Sequence, residues 1–266
     1  MNTSACQISD EELRTSAAMA LSCLDLTSLN DQDGEADIAA LCLRARSRFG
    51  AVAAVCVWPR LAAFARANLP AHIAVAAVAN FPDGSADKER AVRDTGTIVQ
   101  SGAQEVDVVL PYARLKQGDT LAVADLLGAV RKACPDLLLK VILETGELQD
   151  PDLIAQACRM SLAAGADFLK TSTGKTPVSA TPQAAHILLS SIASDNDAAA
   201  RVGFKPSGGI RTVRDAMAYM DLQAHYLGSQ ALQKHRFRIG ASGILADIEA
   251  ILGQTGAHQA SAGSAY

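Results

Sequence analysis

Aromatic side chains are scarce in this sequence. Phenylalanine, tyrosine and tryptophan together make up 4% of it, with a single tryptophan at Trp58. Hydrophobic residues nevertheless reach 49%, so the core must be built mainly from Ala, Val, Leu and Ile, which suits helices packed closely on a buried sheet. Excess positive charge is also missing: the net charge of −4 offers no general attraction to polyanions, which excludes nucleic acid as the expected partner. The six cysteines, Cys6, Cys23, Cys42, Cys56, Cys134 and Cys158, show neither CxxC nor Cys/His spacing. That pattern fits reduced, packed thiols and argues against a disulfide framework or a zinc site. The opening MNTSACQISDEELR is polar and acidic, without the apolar core of a signal segment. No apolar run approaches the roughly 20 residues that span a bilayer. A soluble cytoplasmic protein with no membrane partner is the expectation.

What is present is a regular alternation. Short apolar runs read as strands at 23–26, 51–57, 73–79, 105–110, 137–143, 167–172, 201–207 and 237–242. They are continuous rather than alternating in polarity, as expected of parallel strands covered on both faces. Helix-like segments fall near 33–48, 59–68, 86–101, 118–134, 151–164, 181–194, 212–221 and 243–252. Asp150-Pro151 and Thr181-Pro182 each place a cap before a first-turn proline. SGAQEVDVV and AGADFLKTS repeat one phrase, a glycine helix stop followed by a strand. Eight strand–helix units in one chain of this length predict an α/β fold, a single-domain (β/α)₈ TIM barrel. The expected boundaries are 1–252 for the barrel, with an extra helix before the first strand, and 253–266 for a flexible C-terminal tail. A doubly wound open sheet is the rival, but no GxGxxG follows the first strand.

In a barrel of this kind the reacting groups sit at the C-terminal ends of the strands. Asp25, Asp107, Lys140, Lys170 and Lys205 are polar residues inside otherwise apolar strands. Three lysines in three successive strands, LLLKVIL, DFLKTS and VGFKPS, form an unusual set. Taken singly, each is as well explained by a buried ion pair or an amine reaching the barrel rim as by a chemical role. Together they are costly to desolvate unless paired, and Asp25 and Asp107 can supply the partners. Such a cluster is also a way to lower the pKa of one lysine, since a neighbouring cation disfavours its ammonium form.

Phosphate is the second theme. PSGGIR places Gly208 and Gly209 before a helix with Arg211 nearby, and GASG at 240–243 offers Gly240, Ser242 and Gly243 after the last strand. Glycine-rich turns after strands seven and eight recur as phosphate sites in this fold, although tight turns alone would also use them. TSTGKT fails as a P-loop because position 169 is Leu, but Gly174 and Lys175 in that loop can reach a phosphate. None of the five histidines stands at the end of a predicted strand, so neither a metal nor a histidine base is expected. Cys56 near the end of strand two reads as a packed thiol. Asn80 and Phe81 are placed near the pocket without an assigned role, and Arg44, Arg46 and Arg48 as a solvated face.

The segments LDLTSLND, EVDVVLPY, LLLKVILETGEL, GADFLKTSTGK and VGFKPSGGIR resemble, in the same order, those of the 2-deoxyribose-5-phosphate aldolases. The resemblance runs from about residue 21 to the C-terminus. It implies a class I aldolase on a (β/α)₈ barrel, with no metal or other cofactor, acting on a small sugar phosphate and aldehydes in deoxynucleoside catabolism. It further implies Lys170 as the Schiff-base lysine, Lys205 as the cation that depresses its pKa, and Asp107 as the acid/base. Asp25 and Lys140 are implied as supporting members, and Gly174, Gly208, Gly209, Ser242 and Gly243 as phosphate-binding positions. Tyr266 matches a terminal tyrosine that assists proton transfer, and a homodimer is a common assembly. Three positions depart from the family pattern: Gly243 replaces a serine, Ser207 an alanine and Trp58 a tyrosine. A phosphosugar isomerase or epimerase using Asp107 as a base, and a non-catalytic phospho-ligand binder, are the competing readings.

Overall fold

A computed structural model describes residues 8–254, and these build a closed parallel barrel. The strands are β1 (Leu24–Thr27), β2 (Ala54–Val57), β3 (Ala74–Ala79), β4 (Glu105–Val109), β5 (Leu138–Ile142), β6 (Phe168–Lys170), β7 (Gly203–Lys205) and β8 (Ile239–Ala241). All neighbours are parallel, and the sheet order is β8-β1-β2-β3-β4-β5-β6-β7. The remaining seam is closed by parallel bridges between Phe204 and Phe237 and between Ser207 and Gly240. Closure removes both sheet edges, which otherwise expose unpaired backbone groups.

Helix α1 (Asp10–Ser22) precedes the barrel, and its N-cap Ser9 accepts a hydrogen bond from the Glu12 N–H. One long helix then follows each strand, α2 (Glu35–Arg44), α3 (Pro59–Ala67), α4 (Lys88–Gln100), α5 (Thr120–Ala133), α6 (Pro151–Ala163), α7 (Pro182–Ala193), α8 (Val213–Leu227) and α9 (Ile244–Gly253), with shorter helices at Tyr112–Lys116, Thr145–Leu148 and Asn196–Arg201. α6 and α7 start at the predicted Asp-Pro and Thr-Pro pairs, with Asp150 and Thr181 as N-caps. The shared glycine phrase also behaves as expected, because Gly102 and Gly165 take left-handed φ of +75° and +82° after α4 and α6.

One predicted helix is shorter than expected. The 33–48 segment is helical only to Arg44, and Arg46–Ser47 then pairs antiparallel with Gly50–Ala51. This RSRFG hairpin, with Gly50 at φ +141°, occupies the segment after the helix, so that β2 begins only at Ala54. In contrast, α8 runs six residues beyond its predicted end, to Leu227. Among the described residues, no helix is long and apolar enough to cross a membrane.

The strand faces divide two environments. Leu24, Leu26, Val55, Val57, Val106, Val108, Leu139, Val141, Leu169 and Phe204 point outward and pack under the helices in one large cluster. Each fully buried side chain of this kind contributes about 1.5–3 kcal/mol, so this layer holds the barrel together. The opposite face carries a smaller apolar patch of Leu29, Cys56, Ala76, Val78, Phe81, Val109 and Ile142. It also carries Asp25, Glu105, Asp107, Lys140, Lys170, Lys205 and Arg238, all buried. Seven charged groups inside a barrel this apolar cannot be explained as packing.

Candidate active site

Strand period two brings the charges together. Glu105 and Asp107 lie two apart on β4 and share its inward face. Asp107 is in register with Lys140 on β5, Ile142 with Lys170 on β6, and Lys170 with Lys205 on β7. Asp25 on β1 stands level with Gly240 on β8. All five residues expected from the sequence therefore meet in one place.

Their contacts are direct. Asp107 Oδ1 accepts a hydrogen bond from Lys140 Nζ at 2.8 Å, and Oδ2 accepts from Lys170 and Lys205, each at 2.8 Å. Lys205 also reaches Asp25 Oδ2 at 2.5 Å. Lys140 reaches Glu105 Oε2 at 2.5 Å and lies 3.6 Å from Asp25. Two members of the network were not singled out in the sequence, Glu105 and Arg238. The Arg238 guanidinium donates to Asp25 Oδ1 and Glu105 Oε1, both at 2.6 Å, and its plane lies over the Phe168 ring. The signal was available: Glu105 is two residues before Asp107 on the inward face of β4, and Arg238 immediately precedes β8, two residues before Gly240.

The four cations are not equivalent. Lys140, Lys205 and Arg238 each hydrogen-bond two carboxylates, whereas Lys170 has Asp107 alone. Burial works against every ammonium, but the carboxylates beside Lys140 and Lys205 overcome it and push both above the ordinary lysine value. For Lys170, burial together with the Lys205 cation outweighs the pull of Asp107, and its pKa is lowered. Burial alone would raise Asp107, but Lys140, Lys170 and Lys205 hold it well below the usual carboxylate range. Asp25 and Glu105 are depressed in the same way, by Arg238 and Lys205 in one case and by Lys140 and Arg238 in the other. The chemical result is one amine biased toward its neutral, nucleophilic form within hydrogen-bond reach of an ionised carboxylate.

Above this network opens a cavity of about 670 Å³. Every residue expected to bind phosphate lines it: Gly174, Lys175, Gly208, Gly209, Arg211, Gly240, Ser242 and Gly243. The glycines divide by function. The Gly208 N–H donates to Gly240 O and the Gly240 N–H to Pro206 O, so both are spent on closing the barrel. These two positions need glycine for space. A Cβ on Gly240 would stand 2.5 Å from Ser207 Oγ and 3.0 Å from Lys205 Cε, and one on Gly208 would stand 2.6 Å from Ser179 Oγ. The distance to Lys205 Cε also places Gly240, a residue of the cavity lining, directly against the Lys205 side chain. Gly243 is different: its backbone is right-handed helical, and a Cβ there meets nothing within 4 Å.

Lys175 crosses the cavity, with Nζ donating to Leu29 O at 2.7 Å. Arg44 is exposed, as expected of a solvated face, and also contributes to the cavity wall from α2. Glu144 is a further residue the sequence reading did not assign. It follows β5 at a left-handed φ of +54°, is buried, and accepts hydrogen bonds from the Thr173 N–H, Thr173 Oγ1 and Thr176 Oγ1. It thus ties the loop carrying Gly174 and Lys175 to the end of the neighbouring strand. Burial raises its carboxyl pKa against those hydrogen bonds.

The site wall is the inner apolar patch. Cys56 belongs to it, and burial raises its thiol, in keeping with a packed cysteine. Asn80 fastens the loop after β3 by donating to Ser85 O and Val109 O, while Phe81 joins the patch. Trp58 packs edge-on against Phe81, with ring centroids 5.5 Å apart, and donates to Asn30 O. Among the described residues no group of three His, Cys, Asp or Glu side chains is arranged to hold a metal ion. Tyr266 lies outside the described residues.

Comparison with known proteins agrees with this geometry. Residues 19–245 match the model of the DeoC/LacD family aldolases. The deoxyribose-phosphate aldolase of Agrobacterium fabrum (strain C58 / ATCC 33970) is 46% identical over 256 residues, 95% of this chain and 97% of its own. A solved structure from Toxoplasma gondii ME49 superposes with a TM-score of 0.83 over 92% of this chain and 97% of that one; at 22% identity it supports the fold alone. A second, from Coccidioides immitis and provisionally named a deoxyribose-phosphate aldolase, reaches a TM-score of 0.76 at 30% identity, covering 87% of this chain and 86% of its own.

Proposed function

Since the chain belongs to the DeoC/LacD family of aldolases, we propose that it reversibly cleaves 2-deoxy-D-ribose 5-phosphate to D-glyceraldehyde 3-phosphate and acetaldehyde through a Schiff base on Lys170. The observation that carries this reading is the inequality of the buried amines: of the four cations in the barrel, Lys170 alone has a single carboxylate partner.

The neutral Lys170 amine attacks the C1 aldehyde of the open-chain sugar. Asp107, hydrogen-bonded to that amine, moves protons through a water as the carbinolamine forms and loses hydroxide as water. The resulting iminium is an electron sink. As the C3 hydroxyl gives up its proton to Asp107 through the water, the C2–C3 bond breaks and its electrons form the enamine of acetaldehyde, releasing D-glyceraldehyde 3-phosphate. Protonation at C2 and hydrolysis then free acetaldehyde and restore Lys170. Lys205 stays protonated and keeps the neighbouring amine from taking up a proton. Asp25 and Lys140 hold Lys205 and Asp107 in place.

The substrate phosphate sits in the cavity among Gly174, Lys175, Gly209, Arg211, Ser242 and Gly243, with Gly208 and Gly240 giving the turns their shape. Tyr266, at the end of the segment 253–266, assists proton transfer at C2. We place the enzyme in the cytoplasm and expect a homodimer, which light scattering of the purified protein checks.

Borohydride reduction in the presence of acetaldehyde, followed by peptide mass spectrometry, tests the reading. A stable two-carbon adduct on Lys170 is expected, and Lys170→Leu should fold yet form no adduct and cleave no substrate. A protein that binds the sugar phosphate but is never modified on Lys170 would instead favour an isomerase or a binding module.

A further inference from the structure

The buried network contains four cations, Lys140, Lys170, Lys205 and Arg238, against three carboxylates, Asp25, Glu105 and Asp107. With every group ionised it holds one uncompensated positive charge in a region without solvent, which is costly. Releasing one proton balances it, and the least supported amine is Lys170. We propose that Arg238, which like Glu105 stands at the N-terminal end of its strand, is a positioning residue whose fixed positive charge biases Lys170 toward its neutral form, and that Glu105 is the counter-charge that offsets it. The inference rests on the reading of Lys170 as the nucleophile.

The connection is continuous. Arg238 holds Asp25 and Glu105 at 2.6 Å each; Asp25 holds Lys205 at 2.5 Å and Glu105 holds Lys140 at 2.5 Å. Both lysines converge on Asp107, which is the partner of Lys170. Arg238 is the cation least able to surrender its own proton, because guanidinium stays charged in proteins. The imbalance must therefore be settled by a lysine.

Other titratable groups near either end do not alter the count. Cys56 faces Lys170 from β2 and Cys23 faces Arg238 from the start of β1; burial raises both thiols, so they remain uncharged. Glu144, at the end of β5, is close enough to Lys170 to feel its charge, but its carboxyl turns to Thr173 and Thr176, makes no ion pair within 4.0 Å among the described residues, and is disfavoured in its ionised form by burial. Arg238 Nε also donates to the backbone carbonyl of Lys234, and its guanidinium lies over the uncharged Phe168 ring on β6.

Charge-balanced variants test this. The readout is the pH dependence of borohydride trapping of acetaldehyde on Lys170, followed in wild type, Arg238→Met, Glu105→Gln, the double variant and Arg238→Lys. Arg238→Met removes the surplus cation, so the trapping midpoint should rise by about one pH unit or more. Glu105→Gln should lower it. The double variant removes one charge of each sign and should return close to wild type, as should Arg238→Lys. Should Arg238→Met not fold, Glu105→Gln and the double variant decide. Midpoints that ignore the charge count, or a double variant displaced as far as Arg238→Met, would overturn the inference. Wild type that is never trapped on Lys170 would overturn the nucleophile assignment instead.

Discussion

Lys170 and Lys205 stand side by side on β6 and β7 and donate to one and the same oxygen of Asp107, each at 2.8 Å. Two ammonium groups sharing one acceptor repel each other, and the repulsion is relieved when one gives up its proton. Lys205 has Asp25 as a second anchor and keeps its charge.

Lys205→Leu removes the repelling cation. The pKa of Lys170 should then rise, and the acidic limb of the pH–rate profile should move to more alkaline pH. A profile that coincides with wild type after correction for the lower rate would contradict the role given to Lys205.

Gly243→Ser should be accommodated, because the added side chain enters open space within the cavity wall and the backbone is already right-handed. One further hydroxyl donor to a phosphate is worth about 1.5–3 kcal/mol. The KM for the phosphorylated sugar should fall by about tenfold or more, with unphosphorylated 2-deoxyribose unaffected. Equal effects on both substrates would show that position 243 does not face the phosphate.

Acid should destabilise the fold from the inside. Asp25, Glu105 and Asp107 all ionise at lower pH in the fold than in an unfolded chain. Their stabilisation is therefore fully present above the ordinary carboxylate range near pH 4 and is lost as the pH falls through it toward their depressed values. Glu144, shifted upward, works in the opposite direction, but it is one group against three. Differential scanning calorimetry should show Tm falling steeply between about pH 5 and pH 3. In Asp25→Asn the fall should be shallower, from a lower starting Tm.

Deleting Tyr266 should slow exchange of the acetaldehyde C2 protons with solvent while leaving the Lys170 adduct intact. NMR in deuterated buffer separates the two steps. Exchange at the wild-type rate would remove the tail from the mechanism.

The local pattern of the chain was enough to lay out the barrel. Continuous apolar strands, proline and glycine punctuation and eight repeats of one unit are consequences of short-range physics, so they are legible without coordinates. The lysines and aspartates were visible for the same reason, as charges standing where apolar side chains belong. What pattern could not convey is closure. Glu105 and Arg238 look like ordinary strand-end charges until the ring brings β1, β4 and β8 face to face. Likewise, that Gly208 and Gly240 spend their N–H groups on the seam, that Arg44 lines the cavity, and that Glu144 fastens the Thr173–Thr176 loop all depend on which strands become neighbours. The amino-acid sequence determined which side chains carry charge. The tertiary structure decided how many carboxylates each buried cation touches, and in a medium that excludes water that number selects which amine is shifted toward its neutral form.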